Sequence, residues 1–314
     1  MAGLRVGTRA SALALAQAER VASLLGGADA GVELVKVTTS GDRGTLVGDK
    51  SRWVKELEAK LLAGEIDVAV HSAKDVPAEL PDGLAIAAVP ERADARDALC
   101  GAGSLDALAP GATLGTSSLR RAAELRALRP DLNIVALRGN VDTRLRKLAD
   151  GDAAAIVLAV AGLARLGLDD AIGGVLDALV PSPGQGALAL EIRSDDAAAR
   201  GAVGAITDPE AEACLLAERA LVRTLGASCH TPLGAYATRA ADGGLTMRAF
   251  VGLPDGSAWL RDELTVSHGV DPEQFGIEAG ERLLSAGAAE LLSAAEALGA
   301  GTTPPASTPD GTRI

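Results

Sequence analysis

The stretch Ile66-Asp67-Val68-Ala69-Val70-His71-Ser72-Ala73-Lys74-Asp75-Val76-Pro77, "IDVAVHSAKDVP", decides how the rest of the chain is read. Its first half is a short apolar run, the kind that fills a strand buried on both faces, and such strands belong to parallel sheets covered by helices. Its second half delivers His71, Ser72, Lys74 and Asp75 within five residues. Ligands of open α/β sheets gather at the carboxyl ends of strands, so polar groups there point to a binding cleft.

The neighbouring sequence repeats the pattern. "LRVGT" (4–8) reads as a strand, followed by a helix with Ser11 as N-cap that closes at Gly26-Gly27. "VELVKVTT" (32–39) is the next strand, and a helix with Val54, Leu57 and Leu61 on one face stops at Gly64. "LAIAAVP" (84–90) completes a βαβ series that predicts a mainly parallel sheet. After "ERADARDALC" (91–100) the rhythm restarts. "ATLGTSS" (112–118) leads into the helix "LRRAAELRAL" (119–128), and "NIVALRG" (133–139) leads into "NVDTRLRKLAD" (140–150) with Asn140 as cap. "AAIVLAVAG" (154–162) is a further strand. Two such units of similar size predict two similar domains with a cleft between them.

The third part differs. A helix over 209–226 is followed by a short loop holding Cys229, then by alternating strands "LGAYATRA", "LTMRAFVG" and "AWLRDELTV" joined by "ADGG" and "PDG". One last helix around "GIEAGERLLSAGAAELL" closes an α+β unit, and the Gly/Pro/Thr/Ser-rich residues 299–314 are expected to be disordered.

Bulk properties set bounds. A chain of 314 residues exceeds one ordinary domain. With 48% hydrophobic residues but only two Trp, two Phe and one Tyr, the core has to be built from Ala, Val, Leu and Ile. A net charge of −12 argues against a general nucleic-acid or anionic-membrane surface, and no segment has the apolar length to span a bilayer. Cys100, Cys214 and Cys229 are odd in number and unevenly spaced, forming neither a disulfide framework nor a zinc pattern. Ala14, Ala18, Val21 and Leu25 fall on one face of a helix, so the N-terminus reads as structure, not as a signal segment. A cytoplasmic protein is expected.

Each strand end carries chemistry. Arg9 and Ser11 follow the first; Lys74 and Asp75 follow "IDVAV". Thr116, Ser117, Ser118, Arg120 and Arg121 stand at the next strand-to-helix junction, and Arg138, Asn140 and Arg144 at the one after it. Residues 116–147 hold eight basic against three acidic side chains, a +5 island in a −12 protein. Helix N-termini with small hydroxyl residues make anion sites, and Arg forks match carboxylates. Without a Walker or dinucleotide glycine pattern, several carboxylates fit better than a nucleotide. Arg126, Arg129, Arg146 and Lys147 read as a solvated helix face.

Asp75 is either a partner of Lys74 or a helix cap, or else a functional carboxylate that stabilises a cationic intermediate or shuttles a proton. His71 reads as packed at the strand end. Cys229, on a loop, is a candidate nucleophile or attachment point, whereas Cys100 and Cys214 read as core filling. A two-lobed anion-binding or effector-sensing module without catalysis is the alternative; it accounts for the Arg cleft but gives the Cys229 loop and the third unit nothing to do.

The ordered set "GTRAS", "TSGDR", "VKELE", "DVAVHSAKDVP", "GTSSLRR", "LRGNVDTRL", "LAVAGLARLG", "PGQGALALEIR" and the Cys229 loop resembles the porphobilinogen deaminase (hydroxymethylbilane synthase) family, collinearly from about residue 4 to 295. The resemblance implies three domains: two periplasmic-binding-protein-like α/β lobes (1–92 with 188–208, and 93–187) and a smaller α+β domain (209–298) that carries the cofactor. It implies a transferase that condenses four porphobilinogen molecules into linear hydroxymethylbilane with release of ammonia, on a dipyrromethane cofactor bound to Cys229 by a thioether. Asp75 is implied as the catalytic carboxylate. Lys74, Thr116, Ser117, Ser118, Arg120, Arg121, Asn140, Ala161 and Gly162 are implied around the cofactor, and Arg9, Ser11, Arg138, Arg144 and Gln185 around the substrate. The family suggests a monomer without metal, nucleic acid or membrane. Ala227-Ser228 stand where the family often has Gly-Gly, and "DKSRW" (49–53) replaces its Gly-Lys-Gly-Leu-Phe stretch.

Overall fold

The computed structural model describes residues 3–37, 51–228 and 231–300. Cys229, residues 38–50 (with "TSGDR" and Lys50) and the tail from 301 lie outside the described residues.

The first sheet has the order β2-β1-β3-β10-β4, with β1 (Leu4–Arg9), β2 (Val32–Val37), β3 (Val68–Ser72), β4 (Leu84–Ala88) and β10 (Leu188–Arg193). Helices α1 (Ala12–Leu24) and α6 (Ala197–Gly204) cover one face, where Ala18, Val21, Ala199 and Val203 meet Val6, Val68, Val70, Leu188 and Leu190. Helix α2 (Ser51–Leu62) covers the other, burying Leu57 and Leu61 against Val37, Ile66 and Ala69.

The second sheet has the order β7-β6-β8-β5-β9, from β5 (Asp97–Cys100), β6 (Thr113–Gly115), β7 (Asn133–Val135), β8 (Ala155–Ala159) and β9 (Gly174–Leu176). Helices α3 (Leu119–Leu128), α4 (Val141–Ala149) and α5 (Val160–Arg165) pack on it through Leu125, Leu145 and Leu163. The two sheets share one plan. β2-β1-β3 and β7-β6-β8 are parallel trios, and in each sheet the fourth strand, β10 or β5, runs antiparallel to both its neighbours. Four of the five strands in each sheet thus run the same way, so the sheets are mainly parallel as expected, with one strand reversed in each. The reason is connectivity: β5 and β10 are entered from segments that cross between the lobes, so each arrives from the cleft side and runs back into its sheet.

The third sheet is an antiparallel meander of β11 (Leu233–Arg239), β12 (Leu245–Gly252) and β13 (Trp259–Val266). Its inner face packs on α7 (Pro209–Thr224) and α8 (Pro272–Ser285), with Leu221, Phe275 and Leu283 meeting Ala235, Met247 and Val251. The single last helix expected from sequence is two, α8 and α9 (Ala288–Ala300), broken where Gly287 takes φ +98. α9 runs two residues into the expected tail. The small-aliphatic core holds, with two exceptions: Phe250 and Phe275 are the largest fully buried side chains.

One turn of α7 ties the units together. Glu218, with no exposure, accepts hydrogen bonds from Arg92 Nη1 (2.6 Å) and the Ala237 amide (2.8 Å) on Oε1, and from the Gly184 amide (2.6 Å) on Oε2. Arg219, beside it, donates from Nη2 to the Ala78 carbonyl (2.9 Å) in the segment that follows Asp75. The two crossing segments are themselves bound side by side: the Ala93 amide donates to Gly186 O (3.2 Å) and Arg92 Nε to Gln185 O (2.9 Å). Glycine is required where they touch. A Cβ on Gly186 (φ +87) would stand 2.3 Å from Ala93 O, and one on Gly184 (φ +72) 2.8 Å from the Lys74 amide nitrogen.

Candidate functional site

Asp75 ends a short 3-10 turn, Ala73–Asp75, directly after β3, so the sheet aims it at the cleft between the lobes. Two cavities that share a wall meet at this turn. The larger, about 550 Å³, is lined by residues 73–79, by Ser117, Ser118 and Arg120 of the second lobe, and by Arg219, Arg223, Gly226, Ala227, Ser228 and Thr231 of the third domain. Both flanks of the Cys229 loop thus open on the space that holds Lys74 and Asp75. The smaller, about 290 Å³, is lined by Arg9, Ser11, Lys74, Asp75, Ser117, Ser118, Arg120, Arg121, Asn140, Arg144, Ala161, Gly162 and Gln185, together with Arg165. These are residues scattered over 177 positions of sequence, from 9 to 185.

Local chemistry explains several placements. Ser11 and Ser118 are N-caps of α1 and α3, accepting from the Ala14 and Arg121 amides, each at 3.4 Å. Asn140 takes the N-cap position of α4 without a side-chain cap bond, so its amide group is left toward the cavity.

Other residues marked by the sequence have partners that it did not show. Arg120 and Arg121 do not wait as bare cations. Both are buried, and both bind Asp97 at the start of β5: Arg120 Nη2 at 2.7 Å from Oδ2, Arg121 Nη2 at 2.7 Å and Nε at 3.0 Å from Oδ1. Arg120 also donates to Glu124 Oε2 (2.8 Å) and the Val180 carbonyl (2.7 Å). Burial pushes the Asp97 carboxyl upward, but Arg120 and Arg121 outweigh it and hold the group well below the usual carboxylate range. Burial raises Glu124, which is only partly offset by Arg120. Gln185 is 1% exposed, and its amide is spent on Ala95 O (2.6 Å) and Asp97 Oδ1 (2.8 Å) while its carbonyl accepts Lys74 Nζ (3.2 Å), so it braces the crossing segments. Thr116 is buried, lines neither cavity, and uses its hydroxyl to accept the Ser118 amide (3.2 Å). Arg138 is exposed and lines neither cavity. Arg126 and Arg129, read as a solvated face, instead donate to the carbonyls of Pro254 and Leu108. Cys100 and Cys214 are buried as expected, and burial pushes their thiols up to about 11 and about 12.

The cations that do lack compensation are different ones. Arg144, Arg165 and Arg219 are each lowered to about 10, chiefly by burial and next by a neighbouring cation: Arg121, Arg20 and Arg223 respectively. All three border the cavities. A buried cation with depressed pKa favours an incoming anion. Sequence reasoning missed Arg165, which lay in a quoted motif, and Arg219, which reads as one more polar residue on an amphipathic helix. We expect Arg144→Ala to raise KM roughly 10- to 100-fold, the loss of one charge-assisted hydrogen bond to a carboxylate, with little change in thermal stability. Steady-state kinetics with an unchanged KM would remove it from substrate binding.

Fold and cleft together define a two-lobed α/β protein with arginines around the cleft and a smaller third domain that leads into it. Family models agree with this and go further: "Porphobilinogen deaminase, dipyromethane cofactor binding domain" matches residues 4–201, and "Porphobilinogen deaminase, C-terminal domain" matches 212–285. Porphobilinogen deaminases of Rubrobacter xylanophilus and Thiobacillus denitrificans are each 46% identical, covering 93% of this chain and 97% and 98% of theirs. That of Brevibacillus brevis is 44% identical over 300 residues. The chain belongs to the porphobilinogen deaminase family. Among solved structures, the methionine-binding protein MetQ has a TM-score of 0.41 at 19% identity, over 65% of this chain and 89% of that one, a likeness that carries no argument about function.

Proposed function

We propose that this chain is a transferase that condenses four porphobilinogen molecules head to tail into hydroxymethylbilane, releasing one ammonia at each step, on a dipyrromethane cofactor bound to Cys229. One observation carries the assignment of roles. The turn bearing Asp75, the cations of both lobes and both flanks of the Cys229 loop border a single pair of adjoining cavities.

The residues present fit the cofactor. Its acidic arms call for buried donors, and Arg120 Nε is a buried N–H with no partner among the described residues, beside the uncompensated Arg144 and Arg165. Ser117, Ser118, Arg120, Arg121, Asn140 and Lys74 would hold it, with Ala161 and Gly162 keeping the α5 backbone close. Bound, the dipyrromethane supplies the electron-rich pyrrole carbon to which units are added. Arg9, Ser11, Arg144 and Arg165 bind the carboxylates of the arriving substrate. Asp75 stabilises the positive charge made when ammonia leaves and accepts a proton. Asp97 sets the orientation of Arg120 and Arg121, so these forks are preorganised before anything binds. Arg219 fixes the backbone that presents Asp75.

A bare binding module has no use for a third domain at the cleft. The reading includes a cytoplasmic monomer; the −12 charge argues against nucleic-acid or anionic-membrane partners, and among the described residues no helix is long and apolar enough to cross a membrane.

Intact-mass measurement tests the tether. Purified protein is expected to carry a covalent dipyrrole adduct that survives denaturation, and Cys229→Ser is expected to have the bare polypeptide mass and no turnover. An active parent protein of bare mass would sink the reading.

A further inference from the structure

Behind the strand that delivers Asp75 lies a buried acid–base cluster that the roles above leave unused. His71 on β3 is 5% exposed, and its Nε2 stands 2.9 Å from Oε2 of the fully buried Glu191 on β10. His71 pairs with Ala189 in the antiparallel register, which sets Glu191 diagonally across on the same face. Glu58 of α2 is equally buried; burial, and then the charge of Glu191, raise its pKa above the ordinary range. Oε1 of Glu58 and Oε1 of Glu191 are buried with no hydrogen-bond partner among the described residues. Buried carboxylate oxygens without donors are costly, so this cluster gains by holding an additional proton.

A cavity of about 60 Å³ joins the cluster to the active turn. His71, Ser72, Arg9, Ser11, Gln17 and Asp75 all line it. Leu13, Ala14, Val54 and Val70 complete its lining, and it has room for about two waters between the polar groups, enough for a hydrogen-bonded path. The charged groups around His71 are Glu191 from β10, Glu58 and Lys55 from α2, Arg9 from β1, Asp75, and Arg219 from α7, which senses Glu191.

We propose that His71, held by Glu191, is the proton partner of Asp75. The inference rests on the assignment of Asp75 above. In each elongation Asp75 takes the proton displaced from carbon as the new carbon–carbon bond forms, while the electron pair of the broken C–H bond stays with the ring. The Asp75 acid passes that proton through the small cavity to His71, which becomes imidazolium against Glu191, and Asp75 returns to carboxylate. His71 then returns the proton through the same cavity to Asp75, which gives it to the ammonia released in the cycle, and this leaves as ammonium. His71 is a positioning residue for the proton, acting through Asp75.

The test uses the full chain with its cofactor. The sequence has only three histidines, His71, His230 and His268, so imidazole NMR signals are assignable. Followed between about pH 5 and 9, the His71 titration midpoint is expected to differ between the parent and Asp75→Asn. His71→Gln is expected to lower kcat about 10- to 100-fold with KM within about twofold, to displace the acid limb of the kcat profile, and to keep the covalent adduct mass. A parent-like kcat profile in His71→Gln, or a His71 midpoint unmoved in an inactive Asp75→Asn, overturns the inference alone. Parent-like turnover in Asp75→Asn overturns the Asp75 assignment and the inference with it. If His71→Gln does not fold, the NMR comparison decides.

Discussion

Asp75→Asn is expected to give a folded protein whose turnover is about 100- to 10,000-fold lower, the range for losing a positioned acid–base group. Little should change in structure. The Asp75 backbone is fixed from outside its side chain, by the 3-10 turn and by Arg219, which donates to the carbonyl of Ala78 and more weakly to that of Val76 (3.5 Å). Its side chain borders open cavities, so the amide creates neither a void nor a buried orphan. On the role proposed for Asp75, what disappears is a negative charge beside the position where a cation forms. Thermal melting and steady-state kinetics on the same preparation separate the two effects. Unimpaired kcat in a protein of parental stability would exclude Asp75 from the chemistry.

Asp97→Ala is expected to fail differently, through stability first. Asp97 is 1% exposed and receives Arg120, Arg121 and Gln185 at 2.7–3.0 Å. Removing it leaves two buried guanidinium groups facing each other with only Glu124 near. Breaking a buried pair by deleting one partner costs about 3–5 kcal/mol, which lowers Tm on the order of 10 °C for a chain of this kind. The same contact gives a pH dependence whose sign follows from the depressed carboxyl. Asp97 contributes stability fully above its unfolded value of about 4, and that contribution is lost as pH falls below it. The parent protein should therefore lose more stability between about pH 5 and 3 than Asp97→Asn does. A melting curve for Asp97→Ala that overlays the parent's would show that the arginines find other partners.

The sequence was read correctly where the evidence is local. Ser11 and Ser118 announce their helices by type and position, and both are N-caps. The apolar run ahead of Lys74-Asp75 is a buried strand because nothing polar interrupts Val68 to Val70. Strand direction is not local. "DALC" and "LALEIR" are apolar runs like any other, and nothing in them tells that β5 and β10 enter from the crossings and run antiparallel. Site residues follow the same divide. Arginines at strand ends were visible, but the fate of their charge depends on Asp97, 23 and 24 positions away, and on Gln185, 88 positions from Asp97. Arg219 needed the packing of α7 against the Asp75 turn before it had any meaning. His71 was rightly placed as a packed residue, yet its partner Glu191 lies 120 positions on.

The adjacent pair Glu218-Arg219 touches, within one helical step, the meander sheet, the crossing segments and the turn that carries Asp75. These two side chains serve as the keystone of a three-part arch. A substitution there would loosen every joint at once, so its first symptom would be scarcity of intact enzyme in the cell.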